Sequence, residues 1–378
     1  MLCAMLALLV LAFASRTVRG AAAEDFQVQV WGPDEGLPDS TVTSLAQTPD
    51  GYLWVGTLQE GLSRFDGQRF VTFHPGNTPE LRSIEIRKLL VDTQGTLWVG
   101  TVDASLISFR DGRFHFEQQS TEMPGGWLFG VVSAGNNSVV LSSYGGLLFH
   151  GMLENGTNRW ETIHPPVAMR GSSFCADRQG VIWYRTRDGK LGQVCSNQFV
   201  PMPDPPGLSS PQINTLITDP AGVIWAGTEK GLARWNGKLF VDMTPTNGEP
   251  DLSVRQMVAC PDGTFWVWTD QGLRKYQGQQ WVARVESWGG EGPVRDPTSA
   301  IPVGRSLSIF ADSRSGLWVV RYGAGLWHVD ADGKVSRVRG AQGLPNALVE
   351  CWFEDREGNL WIGLKGGGLV LCQSSNEG

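Results

Sequence analysis

An eight-residue motif returns along nearly the whole chain. Asp50-Gly51-Tyr52-Leu53-Trp54-Val55-Gly56-Thr57 recurs as Gln94-Gly95-Thr96-Leu97-Trp98-Val99-Gly100-Thr101. It returns again as Ala221-Gly222-Val223-Ile224-Trp225-Ala226-Gly227-Thr228 and Glu357-Gly358-Asn359-Leu360-Trp361-Ile362-Gly363-Leu364. Weaker copies carry Trp183, Trp266 and Trp318, and a degenerate one places Val140 at the tryptophan position. The key positions are spaced by 44, 42, 43, 42, 41, 52 and 43 residues. A fixed period of this size means stacked copies of one supersecondary unit, each burying its apolar face only against its neighbours.

Each unit reads as four short strands. In the fifth, Ile213 to Thr218, Val223 to Thr228, Leu232 to Trp235 and Leu239 to Met243 are β-rich runs separated by turn residues. Asn236-Gly237 divides the last two, and Asp66-Gly67, Asp111-Gly112 and Asp332-Gly333 fill that slot elsewhere. Such pairs are the strongest short hairpin signal, because both central residues must take positive φ. Four antiparallel strands per unit match a β-propeller blade, so the fold class is all-β. An open array would expose sheet edges. The eighth unit ends after its third strand, whereas Phe26 to Trp31 is an orphan strand preceding the first. Val28 precedes Gly36-Leu37-Pro38 by the same eight residues that separate Val335 from Gly343-Leu344-Pro345. The N-terminal strand is therefore expected to complete the last of eight blades, with seven blades and a merged third unit as the alternative. Residues 24–378 then form one propeller domain.

The combination Gly36-Leu37-Pro38, Asp50 to Thr57 and Gly61-Leu62-Ser63-Arg64-Phe65-Asp66-Gly67 resembles the two-component regulator propeller repeat. Units five and eight match it nearly as well. The resemblance implies the exported sensor part of a larger regulator, working with a histidine kinase or other signalling protein, and in many members sensing extracellular glycans. The chain carries no kinase nucleotide-binding boxes and stops at Gly378, which leaves a free-standing propeller or part of a longer product.

Composition narrows the alternatives. Lys+Arg 31 against Asp+Glu 38 gives a net charge of −7. A non-specific nucleic-acid surface needs clustered Lys/Arg and is disfavoured. After residue 25 no run reaches the ~18 apolar residues that a membrane-spanning helix requires. Leu6 to Ala14, followed by Ala21-Ala22-Ala23, resembles a secretory signal peptide over residues 1–23, so the protein is expected to be exported to the periplasm or beyond. Removing it leaves Cys175, Cys195, Cys260, Cys351 and Cys372, scattered and without metal or redox spacing, which read as isolated buried thiols.

The chain offers no obvious catalytic constellation. His74, His115, His150, His164 and His328 lie in no metal-ligand spacing, and neither a G-x-S-x-G elbow nor a phosphate loop is present. Asp330-Ala331-Asp332-Gly333 reads as a turn rather than a calcium loop. No cofactor is implied. The repeated tryptophans read as packing between blades. Trp127 and Trp288 fall outside that register, on connecting segments where an aromatic ring can stack on a sugar.

The position eleven residues before each key residue is more informative. It holds Thr43, Arg87, Phe129, Ser172, Asn214, Arg255, Leu307 and Glu350, near the start of the strand expected to line the central channel. Arg87 and Arg255 supply planar donor forks, Asn214 a mixed donor and acceptor, and Glu350 an acceptor. The loops expected on the same face include Gln59-Glu60, Asp103, Arg187-Asp188, Glu229-Lys230, Asp270-Gln271, Arg321-Tyr322 and Lys365. Arg87, Asn214, Arg255, Glu350, Trp127, Trp288, Arg321 and Tyr322 are accordingly the expected ligand-binding residues. The expected function is non-enzymatic binding of a glycan or other small extracellular ligand, or of a partner protein. A propeller lyase or hydrolase and a structural interaction scaffold are the alternatives.

Overall fold

A computed structural model describes residues 26–374, apart from 93, 104, 120–127, 134–137, 144–147, 155–156, 166–172, 187, 204, 209, 211, 248–251, 286–306, 322–324 and 339–347. The signal segment, Trp127, Trp288 and Tyr322 lie outside the described residues. The described strands form eight four-stranded antiparallel sheets, one per repeat, and so an eight-bladed β-propeller. The third repeat is a blade of its own despite its degenerate motif, which removes the seven-blade alternative.

Blade 1 shows the plan. Its strands are Val42–Gln47, Leu53–Thr57, Leu62–Phe65 and Phe70–Phe73, paired in sequence order. The first strands of consecutive blades contact one another, so they face the axis. In blades 2, 5, 6 and 8 the corresponding strands are Ile86–Val91, Ile213–Thr218, Val254–Ala259 and Leu348–Glu354. The first strands of blades 1 and 8 also touch, closing the ring.

The closing blade takes its outer strand from the N-terminus. Phe26–Trp31 pairs antiparallel with Gly368–Ser374, from Phe26 opposite Ser374 to Trp31 opposite Leu369. The clasp also holds both neighbouring blades. Trp31 stacks on Trp361 at 5.4 Å and meets Phe65 of blade 1 edge-on, while Phe26 lies 4.9 Å from Trp318 of blade 7.

The tryptophans occupy the expected interior. Trp54, Trp98, Trp183, Trp225, Trp266, Trp318 and Trp361 are all buried, as is Val140 in the same register. An aspartate six residues earlier positions most of them. Asp92, Asp177, Asp219 and Asp355 each accept a hydrogen bond from the following indole Nε1 at 2.8–3.1 Å. The other carboxylate oxygen of each closes the turn between the first and second strands by accepting backbone amides. Blade 1 substitutes Thr48, which accepts from Trp54 Nε1 at 2.9 Å. In blade 7, His328 Nε2 lies 2.6 Å from the equivalent Asp312 oxygen.

The glycine two residues after the tryptophan has a steric cause. A Cβ on Gly227 would sit 2.5 Å from Val254 Cγ1 of the next blade, and one on Gly56 2.8 Å from Ile86 Cγ2. Real Cβ atoms do not approach so closely. The motif's glycine is therefore the seat for the next blade's first strand.

The five described cysteines are free, and of these Cys260 and Cys372 are buried. Cys175 and Cys351 are half-buried, and Cys195 is exposed at the end of its strand, so the expectation of uniformly buried thiols fails there.

Candidate functional site

The position eleven before the key residue coincides with a β-bulge. In blade 1 the register steps from Val42 opposite Thr57 to Ser44 opposite Gly56, leaving Thr43 unpaired. The same step skips Arg87, Phe129, Asn214, Arg255 and Glu350 in blades 2, 3, 5, 6 and 8. Blade 7 pairs through without a step at Leu307, and Ser172 lies outside the described residues. A bulge leaves its extra residue out of the ladder and turns its side chain away from the sheet's alternation. Blades 1, 2, 5, 6 and 8 therefore present a re-aimed side chain at the same end of the innermost strand.

Some of these side chains tie blades together. Thr43 Oγ1 donates to the Ile86 carbonyl at 2.6 Å, and Asn214 Nδ2 to the Val254 carbonyl at 2.9 Å. Arg185 donates through a terminal nitrogen to the Ile213 carbonyl at 3.2 Å, and the Cys351 thiol lies 3.8 Å from the Val42 carbonyl. Each acceptor is the residue immediately before a bulge in the following blade. Asn214 thus has its amide nitrogen committed to a neighbouring backbone instead of open to the channel.

Others keep their polar groups at the mouth. Arg255 is exposed and has no hydrogen-bond or ion-pair partner among the described residues. Glu350 is exposed too. Arg87 is half-buried and ion-paired with Glu85. Burial lowers the Arg87 pKa below the ordinary guanidinium value, and the negative charge of Glu350 opposes that shift. The charges of Arg87 and Glu350, in blades 2 and 8 on either side of blade 1, therefore act on one another. Arg321 ends the second strand of blade 7, its backbone opposite Leu307 and Gly325.

Arg185 was invisible to the count of eleven. It sits two residues after Trp183, where Gly56, Gly100, Gly227 and Gly363 stand in other blades. That departure from W-x-G was the available signal. Its Nε is buried without a hydrogen-bond partner, and burial lowers its pKa. Among the described residues no group of three or more His, Cys, Asp or Glu is placed to hold a metal ion.

The family model described as "Two component regulator propeller" matches residues 36–59 and 343–366. The chain carries the two-component regulator propeller repeat. These two regulator-propeller repeats belong to blades 1 and 8, the pair that closes the ring. No curated protein matches the sequence. Among solved structures, a streptogramin B lyase is similar over 93% of this chain and 98% of its own, with TM-score 0.55 and 13% identity. YCF48 from Cyanidioschyzon merolae is similar over 94% and 100%, with TM-score 0.52 and 12% identity. At these identities the likeness is one of fold. An extracellular domain described as part of a hybrid two component system from B. thetaiotaomicron shares 19% identity over 93% of this chain, with TM-score 0.43. This chain spans 54% of that one's length.

Among the described residues no helix is long and apolar enough to cross a membrane.

Proposed function

We propose that this chain is an exported, non-enzymatic ligand-binding propeller that serves as the sensing part of a two-component regulator. It takes a small extracellular ligand, such as a glycan fragment, at the channel mouth, and passes occupancy to a partner signalling protein. The observation that supports this reading is the ring of bulges, which aims Arg87, Arg255 and Glu350 from different blades toward one end of the channel. Bulges are commonly used to re-aim side chains beside functional sites. The regulator-propeller repeats support the sensing role.

The test is a thermal-shift and calorimetric screen of the protein against oligosaccharides, repeated with Arg255→Ala and Glu350→Gln. Binding without product formation, weakened about tenfold or more by either substitution, is the expected result. Product formation on a polysaccharide would overturn the non-enzymatic reading. Amino-terminal sequencing of the exported protein should begin near Glu24.

A further inference from the structure

The channel mouth is not uniform around the ring. Arg185 of blade 4 donates to the carbonyl of Ile213, the residue beside Asn214. Asn214 of blade 5 in turn donates to the carbonyl of Val254, the residue beside Arg255. These two bonds place Arg185, Asn214 and Arg255 in succession along one arc spanning three blades. Neither arginine has a carboxylate partner among the described residues. Nearby Asp188 is engaged by Lys190 and Thr186 instead. The opposite arc differs: Glu350 and Glu85 stand there with Arg87.

A basic arc on a chain of net charge −7 is not a by-product of overall composition. Arg185 stands where Gly56, Gly100, Gly227 and Gly363 lie in other blades, and its guanidinium reaches the carbonyl beside the next blade's bulge. Its buried, unbonded Nε calls for a partner, since such groups are rare in folded proteins. Guanidinium forks match carboxylate and sulfate oxygens in paired geometry, and a concave, partly desolvated setting strengthens that attraction.

We propose that Arg185 and Arg255, on either side of the stitching residue Asn214, bind the oxyanion of a carboxylated or sulfated ligand, with the anion bridging blades 4 to 6. This inference rests on the reading of the channel mouth as a ligand site. Hydroxyl or ammonium groups on the same ligand would face Glu350 across the mouth.

Chemical-shift titrations of the full chain at low ionic strength test it, using sodium sulfate, glucuronate and neutral glucose. Glucuronate or sulfate should bind where glucose does not, and raising the salt should weaken the complex. A response to glucuronate alone identifies a carboxylate, and one to sulfate alone a sulfate ester. Arg255→Ala should weaken anion binding at least tenfold with an unchanged melting temperature, because Arg255 holds nothing else. Arg185→Met should also weaken anion binding at least tenfold, with a lower melting temperature because its bond to the Ile213 carbonyl is lost, while Arg185→Lys, which keeps charge and donor, should recover part of the binding. Glucose binding as well as glucuronate, or anion binding that survives both arginine substitutions, overturns the inference. If neutral oligosaccharides bind and Glu350→Gln weakens them while anions do not bind, the ligand site stands and its anion specificity falls. If no compound binds, both readings fall.

Discussion

Asn214 Nδ2 donates to the carbonyl oxygen of Val254 at 2.9 Å, across the boundary between blades 5 and 6. The bond joins one bulge residue to the backbone just before the next, so the mouth of the channel is also a seam. Thr43 and Ile86 repeat the relationship between blades 1 and 2 at 2.6 Å. A side chain at this position therefore either stitches blades, as Asn214 and Thr43 do, or is left for ligand, as Arg255 is.

The division predicts opposite phenotypes for neighbouring bulges. Asn214→Ala removes a part-buried hydrogen bond and should cost about 0.5–1.5 kcal/mol of stability. Arg255→Ala, on an exposed side chain without partners, should stay within about 0.5 kcal/mol of the parent. Urea titrations of both variants measure this. Equal stabilities would show that the seam bond contributes nothing.

Gly227 makes the packing argument testable. An alanine Cβ there would meet Val254 Cγ1 at 2.5 Å and Thr215 Cγ2 at 2.6 Å. Gly227→Ala should destabilise by about 1–3 kcal/mol through overpacking. Adding Val254→Ala removes the clashing branch, so the double variant should lose less than the sum of the two single losses. Additive losses would place the strain elsewhere.

The architecture was legible because a blade interior repeats the same demands. The tryptophan position and the turn before it recur every 41 to 52 residues, and even Val140 is found by its spacing. The clasp was legible for the same reason: Phe26–Trp31 is a fourth strand without the first three. The bulges were not, since a one-residue register step depends on pairing between strands and leaves no residue signature. Counting from tryptophan nevertheless landed on them, because strand and turn lengths are constant. What Asn214 does there depends on the neighbouring carbonyl, which no pattern in its own repeat encodes. Arg185 was hidden differently. It lies on the second strand, where the repeat leads one to look for glycine.

The clasp should dominate stability. It pairs along six residues with the third strand of the last blade and puts Trp31 against Trp361 and Phe65. Trp31→Ala should cost about 3–5 kcal/mol through the cavity it leaves. Deleting residues 26–31 should cost more, and should also expose the Gly368–Ser374 edge to aggregation. Circular dichroism melts with light scattering check both. Equal midpoints for the full and truncated proteins would mean that the ring does not depend on its N-terminal strand.

Asp312 makes stability depend on acid. Burial pushes its carboxyl up, but the hydrogen bond and charge of His328, with the Gly316 and Arg314 amides, outweigh it and hold the pKa below the ordinary value of 3.8. A carboxyl depressed by folding stabilises the folded state above its unfolded pKa. The contribution fades as pH falls from about 5 toward the folded value. Asp312→Asn keeps the side chain's size but removes the charge that faces His328 at 2.6 Å. The variant should be about 1–3 kcal/mol less stable than the parent at pH 7, the range for hydrogen bonds to charged groups and their buried partners. At pH 3 the gap should narrow, because the unfolded parent's carboxyl is then largely protonated and must give up its proton on folding. Urea unfolding followed by tryptophan fluorescence at the two pH values measures the difference. A gap that is constant with pH would show that the charge of Asp312 is not what holds His328 beside the clasp.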